Sequence, residues 1–461
     1  MTDNLQTLIE RARIAQKQVE FWTQEQVDEM VAAAGWETCK QESAEAAARL
    51  AADETRMGVY EHKVLKHHKK TLGTLRDLHG VKTVGVIEDD IEKGLIKIAK
   101  PVGVIGALTP VTNATSTVAV KAMHALKTRN AIIFAPHPRA KACAHLTCEQ
   151  MRAGLKKVGS PEDLILNIQE PSIALSQELM KSVDLVVATG GGGMVKSAYS
   201  SGTPAYGVGA GNAVVIVDET ADLADAAKKI FLGKTFDNAT SCSSENSAVI
   251  QETVFDQMVA GFESHGGYLC DAEEKARLVK TLWPDGAHLN KDIVAQSAAK
   301  IARMASISVP EDVTFLMVLC EKVGSEDMFT SEKLSPVLAL WKYKEFEEAI
   351  SYVQRITGFV GHGHSCGIHT TNDSHILALG EKADVSRMMV NQPQAYGNSG
   401  NYDNGMPFTL TLGCGSWGGN ITTENITWKH FVNMTWVSKP INPVVPDEEA
   451  IFGDYWKKFG K

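Results

Sequence analysis

The sequence has no apolar run long enough to span a bilayer, and its opening 22 residues, MTDNLQTLIERARIAQKQVEFW, lack the continuous hydrophobic stretch of a secretion signal. A membrane-spanning or exported reading is therefore set aside, and a cytoplasmic protein is the expectation. The eight cysteines (39, 143, 148, 242, 270, 320, 366 and 414) show no paired CxxC spacing. That argues against a disulfide framework and for reduced thiols, mostly buried. An excess of basic residues is also missing. With a formal charge of −9, neither nucleic acid nor an anionic membrane is expected as the main partner. A small anionic ligand can still find a local basic pocket, because net charge does not describe a cleft. Internal repeats and low-complexity tracts are absent as well.

What is present is a chain of 461 residues, 44% hydrophobic and 22% charged, which is more than one core usually supports. Residues 1–80 read as helical. Apolar stripes over 44–52 and at Leu65, Leu72, Leu75 and Leu78 alternate with charged faces. The segment EHKVLKHHKK (61–70) reads as a solvated basic helix face. Two β-branched runs flank EDDIEKG within 82–100 and predict a hairpin. From Pro101 onward, apolar strands alternate with helices: VGVIGAL, a helix over 115–127, AIIFAP (131–136), a helix to about 156, LILNIQ, DLVVATG (184–190), a helix over 194–199 and AVVIVD (213–218). This pattern predicts a parallel sheet covered on both faces. A second α/β unit begins near Phe231, and a strand-like FVNMTWVSKP lies near the end.

Four places stand out chemically. Cys242 in FDNATSCSSENS sits among small hydroxylic residues between a helix and a strand, a setting for a nucleophilic thiol as well as for a core cysteine. Two glycine-rich stretches, ATGGGGMVKSAYSSG (188–202) and YGVGAGN (206–212), adjoin strands and suit either tight turns or close approach to a phosphate. Neither is a clean GxGxxG followed by an acidic residue. Asn113 in LTPVTNATS can donate to a developing oxyanion or cap the following helix. His362, His364 and Cys366 in GHGHSCGIH would share a face if extended, but no carboxylate or second cysteine completes a ligand set, so no metal is expected.

Read in order, KPVGVIGALTPVTNATST, LKTRNAIIFAPHPRA, ATGGGGMVKSAYSSG, PAYGVGAGN, KTFDNATSCSSEN, EKLSPV and TLGCGSWGGN closely resemble the CoA-acylating branch of the aldehyde dehydrogenase superfamily, from about residue 99 to 425. The resemblance implies an α/β fold with a Rossmann-like NAD(P)-binding domain over 1–230, a catalytic domain over 231–410 and a segment over 411–461 that returns to the cofactor domain and the oligomer interface. The hairpin at 82–100 would serve oligomerisation, as homodimer or homotetramer. It further implies Cys242 as nucleophile and Asn113, with the Cys242 N–H, as oxyanion hole. Thr189, Gly190 and Gly191 would lie near the cofactor phosphates and ring, Glu332 at the nicotinamide ribose, and His137 and Arg139 at the adenosine end, where Arg139 could meet a 2′-phosphate. His364 would line the active site. NAD or NADP is the implied hydride acceptor and coenzyme A the co-substrate.

One departure from the wider superfamily bears on the reaction. Its hydrolytic members carry a Glu-Leu-Gly-Gly block whose carboxylate activates water, whereas GVGAGN (207–212) has none. Transfer of the acyl group to CoA is the expectation. An acyl-phosphate reductase and a non-catalytic relative are the alternatives. DETRMGVYEHKVLKHHKK, TLWPDG and the segment from QPQAYGNSGNYDNG onward are most similar to members acting on sulfoacetaldehyde, followed by those acting on succinate semialdehyde, with acetaldehyde a further option. The polar stretch 396–404, with Asn398 and Ser399, either meets the remote anion of such a substrate or is a surface loop.

Overall fold

Four helices open the chain in the computed structural model, which describes residues 4–461: α1 (Leu5–Val19), α2 (Gln24–Cys39), α3 (Gln41–Thr55) and α4 (Tyr60–Leu78). Thr23 starts α2 through a reciprocal capping box, its Oγ1 accepting from Gln26 N–H while Gln26 Oε1 accepts from Thr23 N–H. In α3 the expected stripe is inside, with Ala44, Ala47, Ala48 and Ala51 buried. In α4 the expectation holds for Leu75 and Leu78, which pack into the core, and fails for the other two leucines. Leu65 and Leu72 face outward, while Lys63, Lys66, His67, Lys70, Thr71 and Thr74 are buried. The segment 61–70 is thus not a solvated face, because this helix packs its polar side onto buried acceptors.

The predicted hairpin forms from β1 (Gly85–Asp90) and β2 (Leu95–Pro101), paired antiparallel. A five-stranded parallel sheet follows, made of β3 (Val104–Thr109), β4 (Ala131–Pro136), β5 (Ile165–Asn167), β6 (Leu185–Thr189) and β7 (Ala205–Val208), in the order β5-β4-β3-β6-β7. Between these strands run α5 (Ala114–Lys127), α6 (Lys141–Lys157), α7 (Ile173–Ser182) and α8 (Gly192–Tyr199). All of α5, β3 and β4 is buried, as a doubly covered sheet requires. Strand order reverses between β3 and β6, so the crevice beyond their carboxyl ends is where such a sheet binds ligands.

A second sheet, entirely parallel, holds β8 (Ala213–Val217), β9 (Glu245–Gln251), β10 (Gly267–Leu269), β11 (Phe315–Leu319), β12 (Val337–Tyr343), β13 (Cys366–His369) and β14 (Met388–Val390), in the order β10-β11-β12-β9-β8-β13-β14. Because β8 pairs with β9 and β13, the first sheet ends at Val208. The helix after it, α9 (Leu223–Thr235), also packs on the second sheet. The domain boundary therefore lies in the crossing 209–212 and not at residue 230. An apolar run does not encode which sheet it will join.

Near the end of the chain, Phe431 is buried against His124 of α5, and β15 (Val432–Ser438) then pairs antiparallel with β2. The last segment leaves Val444, Val445, Ile451, Phe452 and Phe459 exposed. Among the described residues no helix is long and apolar enough to cross a membrane.

The inner face of α4 lies close to the stretch preceding residue 410. A Cβ on Gly73 would sit 2.2 Å from two ring carbons of the buried Phe408. Gly73→Ala is expected to destabilise by about 1–3 kcal/mol through overpacking, despite a helix-propensity gain of about 1 kcal/mol. A lowered midpoint in thermal or urea unfolding checks it.

Candidate active site

The loop carrying Cys242 is held in a conformation that side chains disfavour. After α9, residues Asp237, Asn238 and Ala239 all have positive φ (51°, 52° and 59°), the left-handed region. The Asp237 carboxylate supplies the compensation. It accepts from Val59 N–H at 2.7 Å, Lys63 Nζ at 3.1 Å, Lys66 Nζ at 2.5 Å and Thr240 Oγ1 at 2.9 Å. Asp237 N–H in turn donates to His62 Nδ1, and Asn238 Nδ2 donates to Ala295 O. Burial alone would raise the Asp237 carboxyl. The Lys66 and Lys63 charges, with the hydrogen bonds, outweigh it and hold the group below the usual carboxylate range. Lys66, fully buried, is pushed down to about 8 by that burial, against the opposing pull of Asp237.

Lys66 also reaches the other sheet. Its Nζ donates to Asn113 Oδ1 at 2.7 Å, and this fixes which side of the amide carries the NH2. Asn113 occupies the N-cap position of α5, but its side chain caps nothing. Its Nδ2 has only long contacts, 3.4 Å to Thr112 Oγ1 and 3.5 Å to Thr240 O. Of the two readings of this residue, the helix cap is excluded, and a donor held beside the Cys242 loop remains.

Cys242 is half-buried, whereas the other seven cysteines are buried, and all eight are free. Its Sγ lies 3.2 Å from His364 Nε2, and His364 Nδ1 lies 2.9 Å from Ser365 Oγ. Burial, then the nearby Glu332 and Cys414, push the thiol up to about 12, while Arg387 pulls the other way. Burial and the Arg387 charge push His364 down to about 3. A neutral imidazole thus lies within hydrogen-bond reach of a protonated thiol, the contact that proton transfer needs, while both shifts favour keeping the proton on sulfur. His362, by contrast, turns its Nε2 to Asp384 Oδ2 at 3.3 Å, and Cys366 is buried in β13.

The crossing 209–212 packs directly on Cys242. A Cβ on Gly211 would lie 2.0 Å from Cys242 O, and one on Gly207 would lie 2.7 Å from Val195 Cγ1. At these two positions of GVGAGN a larger side chain has no space, whereas a Cβ on Gly209 would meet none of its surroundings. Asn212 anchors the crossing, its Nδ2 donating to Thr330 O, Ile356 O and Val360 O, and its Oδ1 accepting from Asn246 Nδ2. Asn246 also binds Ser331 O and Lys333 N–H, which sets the loop carrying Glu332. Burial pushes the Glu332 carboxyl up to about 8, against the opposing pull of the Gly211 N–H and of Lys234 and Lys333, and one of its oxygens is buried without a partner.

At the first sheet, Thr189 ends β6 with its Oγ1 3.1 Å from Thr411 Oγ1, and Gly190 and Gly191 lead into α8. Cβ atoms on Gly191, Gly192 and Gly193 would meet open space, so backbone N–H groups at this helix start are accessible. Beside it lies a largely apolar cavity of about 420 Å³ lined by Pro136, His137, Ile173, Gly193 and Met194. Arg139 is not among its walls, and its guanidinium donates to Thr55 O at 3.0 Å. An open cleft bounded by Tyr199, Gly209, Ala210, His362, Cys414 and Trp417 continues toward the crossing.

A further small cavity touches Lys66, Lys69, Lys70, Asn113, Ser241, Tyr396 and Ser399. Ser399 lines it. Asn398 does not, since its amide is turned to Gln394 O within the fold. Sequence reasoning thus brought together Cys242, Asn113, His364 and Glu332, and missed Lys66, Asp237, Asn212 and Arg387. Each of the four acts through a partner far away in sequence, and single positions carry no signal of that.

The Aldehyde dehydrogenase family model matches residues 2–266. The chain is 51% identical to a sulfoacetaldehyde dehydrogenase of an Acholeplasma species, over 98% of this chain and 94% of the relative. It is 48% identical to the acylating sulfoacetaldehyde dehydrogenase of Bilophila wadsworthia, over 98% of each. An acetylating aldehyde dehydrogenase from Geobacillus thermoglucosidasius superposes with a TM-score of 0.93 at 38% identity, covering 96% of this chain and 98% of that one.

Replacing Asp237 by Ala leaves Lys63 and Lys66 buried without their carboxylate. A loss of about 3–5 kcal/mol in stability is expected, read as a lower unfolding midpoint. The raised thiol also sets a pH dependence. Well below its pKa, the thiolate fraction of Cys242 grows about tenfold for each pH unit. Alkylation of the protein by iodoacetamide, followed by mass spectrometry, should keep climbing from pH 7 to pH 9 with no plateau.

Proposed function

This chain belongs to the aldehyde dehydrogenase family, and on that footing we propose that it oxidises sulfoacetaldehyde to its CoA thioester, with NAD or NADP as hydride acceptor. The observation that carries the reading is a neutral His364 3.2 Å from the Cys242 thiol, beside an unspent Asn113 amide and a crossing with no carboxylate. The relatives' activities support the choice of substrate.

In this reading, His364 Nε2 takes the Cys242 proton and the thiolate attacks the aldehyde carbon. The alkoxide so formed is met by Asn113 Nδ2 and the Cys242 N–H, worth most in a site shielded from water. Lys66 keeps the Asn113 amide in the required orientation. The dinucleotide, when bound, supplies the hydride acceptor. The cavity beside His137 has apolar walls suited to an adenine, and Thr189, Gly190 and Gly191 at the start of α8 suit its phosphates. Glu332, whose buried oxygen has no partner of its own, would hold the ribose. Loss of the hydride leaves a thioester on Cys242, and His364 releases the proton it took. The thiol of CoA then displaces Cys242, which recovers a proton. The balance is one proton released per acyl-CoA and reduced dinucleotide formed. Water has no such route through residues 207–212, which supply no carboxylate to act as its base.

We take the chain to work in the cytoplasm, where Cys242 stays reduced, as a homodimer or homotetramer. The exposed apolar residues of 444–459 and the sheet β1-β2-β15 are the surfaces offered to another copy.

NADH formation from sulfoacetaldehyde is expected to require CoA and to yield the CoA thioester by mass spectrometry. Cys242→Ala should abolish it, and Asn113→Ala should lower kcat by about 10²–10³-fold. Equal rates without CoA, with the free acid as product, would falsify the acylating assignment.

A further inference from the structure

The small cavity beside Cys242 has an unusual wall. Lys66, Lys69 and Lys70 lie at i, i+3 and i+4 on α4 and therefore share one side of the helix. Lys66 has its counterion in Asp237. Among the described residues, no carboxylate lies within 4.0 Å of Lys69 or Lys70. Asp403 is near enough to act on Lys69 electrostatically, but it makes no ion pair with it. Lys70 is buried and donates only to the backbone carbonyls of Ser399 at 3.1 Å and Gly400 at 2.7 Å. Lys69 is half-buried, with its ammonium over the ring faces of Tyr396 at 5.2 Å and Tyr402 at 5.5 Å. Burial, with the repulsion of neighbouring lysines, pushes Lys70 well below its ordinary value, and Lys69 is lowered by burial too.

Three lysine amines around one cavity, with one carboxylate, cannot all keep their protons while it is empty, because a buried charge without a counterion is strongly disfavoured and the amine loses its proton instead. An anion in the cavity supplies that counterion. The placement fits a short substrate. Lys66 touches the Asn113 amide that faces the reacting carbonyl, and Lys69 and Lys70 stand one helical turn, about 5 Å, further along.

We propose that Lys69, backed by Lys70, binds the anionic end of the aldehyde and selects charged aldehydes over uncharged ones. The proposal rests on the functional reading above and sharpens it. Chemically, the cradle takes a sulfonate or a carboxylate two to four bonds from the carbonyl. Tyr396 and Tyr402 hold the ammonium by cation–π attraction without neutralising it.

The test is steady-state kinetics of the full chain with NAD+ and CoA, using sulfoacetaldehyde, succinate semialdehyde and propionaldehyde. Lys69→Met should lower the ratio of kcat/KM for sulfoacetaldehyde to that for propionaldehyde by about 30-fold or more, chiefly through KM. Lys69→Arg, which keeps the charge, should restore most of that ratio. Lys70→Met should move it in the same direction, and Lys69, being half-exposed, keeps the test open if that variant does not fold. An unchanged ratio in Lys69→Met overturns the proposal, as does a wild-type preference for propionaldehyde over both anions. If the wild type favours succinate semialdehyde and Lys69→Met removes that preference, the cradle stands and the sulfonate assignment falls.

Discussion

The buried contact between Asp237 and the lysines of α4 is the constraint on which the rest of the site depends. It holds three consecutive residues in the left-handed region just ahead of Cys242. It also ties the catalytic sheet to the cofactor side, because Lys66 bridges Asp237 and Asn113. A buried ion pair of this kind adds little net stability compared with apolar packing, and its use lies in specifying one geometry. Here that geometry places an amide donor from α5 beside a thiol from the loop before β9.

The two sheets contribute to the site from opposite ends. The cofactor sheet supplies Asn113 and Thr189 from the carboxyl ends of β3 and β6, as doubly wound sheets do. The catalytic sheet supplies Cys242, Asn212 and His364 from segments preceding β9, β8 and β13, that is, from its amino ends. The crossing 209–212 runs between them, and Gly211 within it is dictated by contact with Cys242 O. That contact packs the crossing closely on Cys242.

Much of this was legible in the sequence because strands buried on both faces read as continuous apolar runs, and AIIFAP and DLVVATG fall where β4 and β6 do. Cys242 stood out by its polar neighbours, which a core thiol lacks. The failures have a common cause. The stripe of Leu65, Leu72, Leu75 and Leu78 reads as inward and EHKVLKHHKK as outward, by the ordinary rule that apolar faces are buried, and the first two leucines depart from it. On the inner turns of α4 that rule inverts, since Lys63 and Lys66 meet the buried Asp237 carboxylate and Lys70 meets the carbonyls of Ser399 and Gly400. The boundary at 230 failed because pairing, unlike run length, is decided by distant partners such as β13. Asn398 was misjudged because a buried amide satisfying the main chain has the same composition as one facing a ligand.

The inverted face of α4 divides labour along a single helix. Its earlier turns, through Lys63 and Lys66, hold the machinery of bond-making, and its next turn, through Lys69 and Lys70, borders the space for the rest of the substrate. Chemistry and recognition therefore occupy adjacent turns of one rigid rod, in fixed relation to each other. A lineage can exchange residues on the second turn and acquire a new diet without disturbing the first, which makes α4 a natural site of divergence among enzymes that share this reaction.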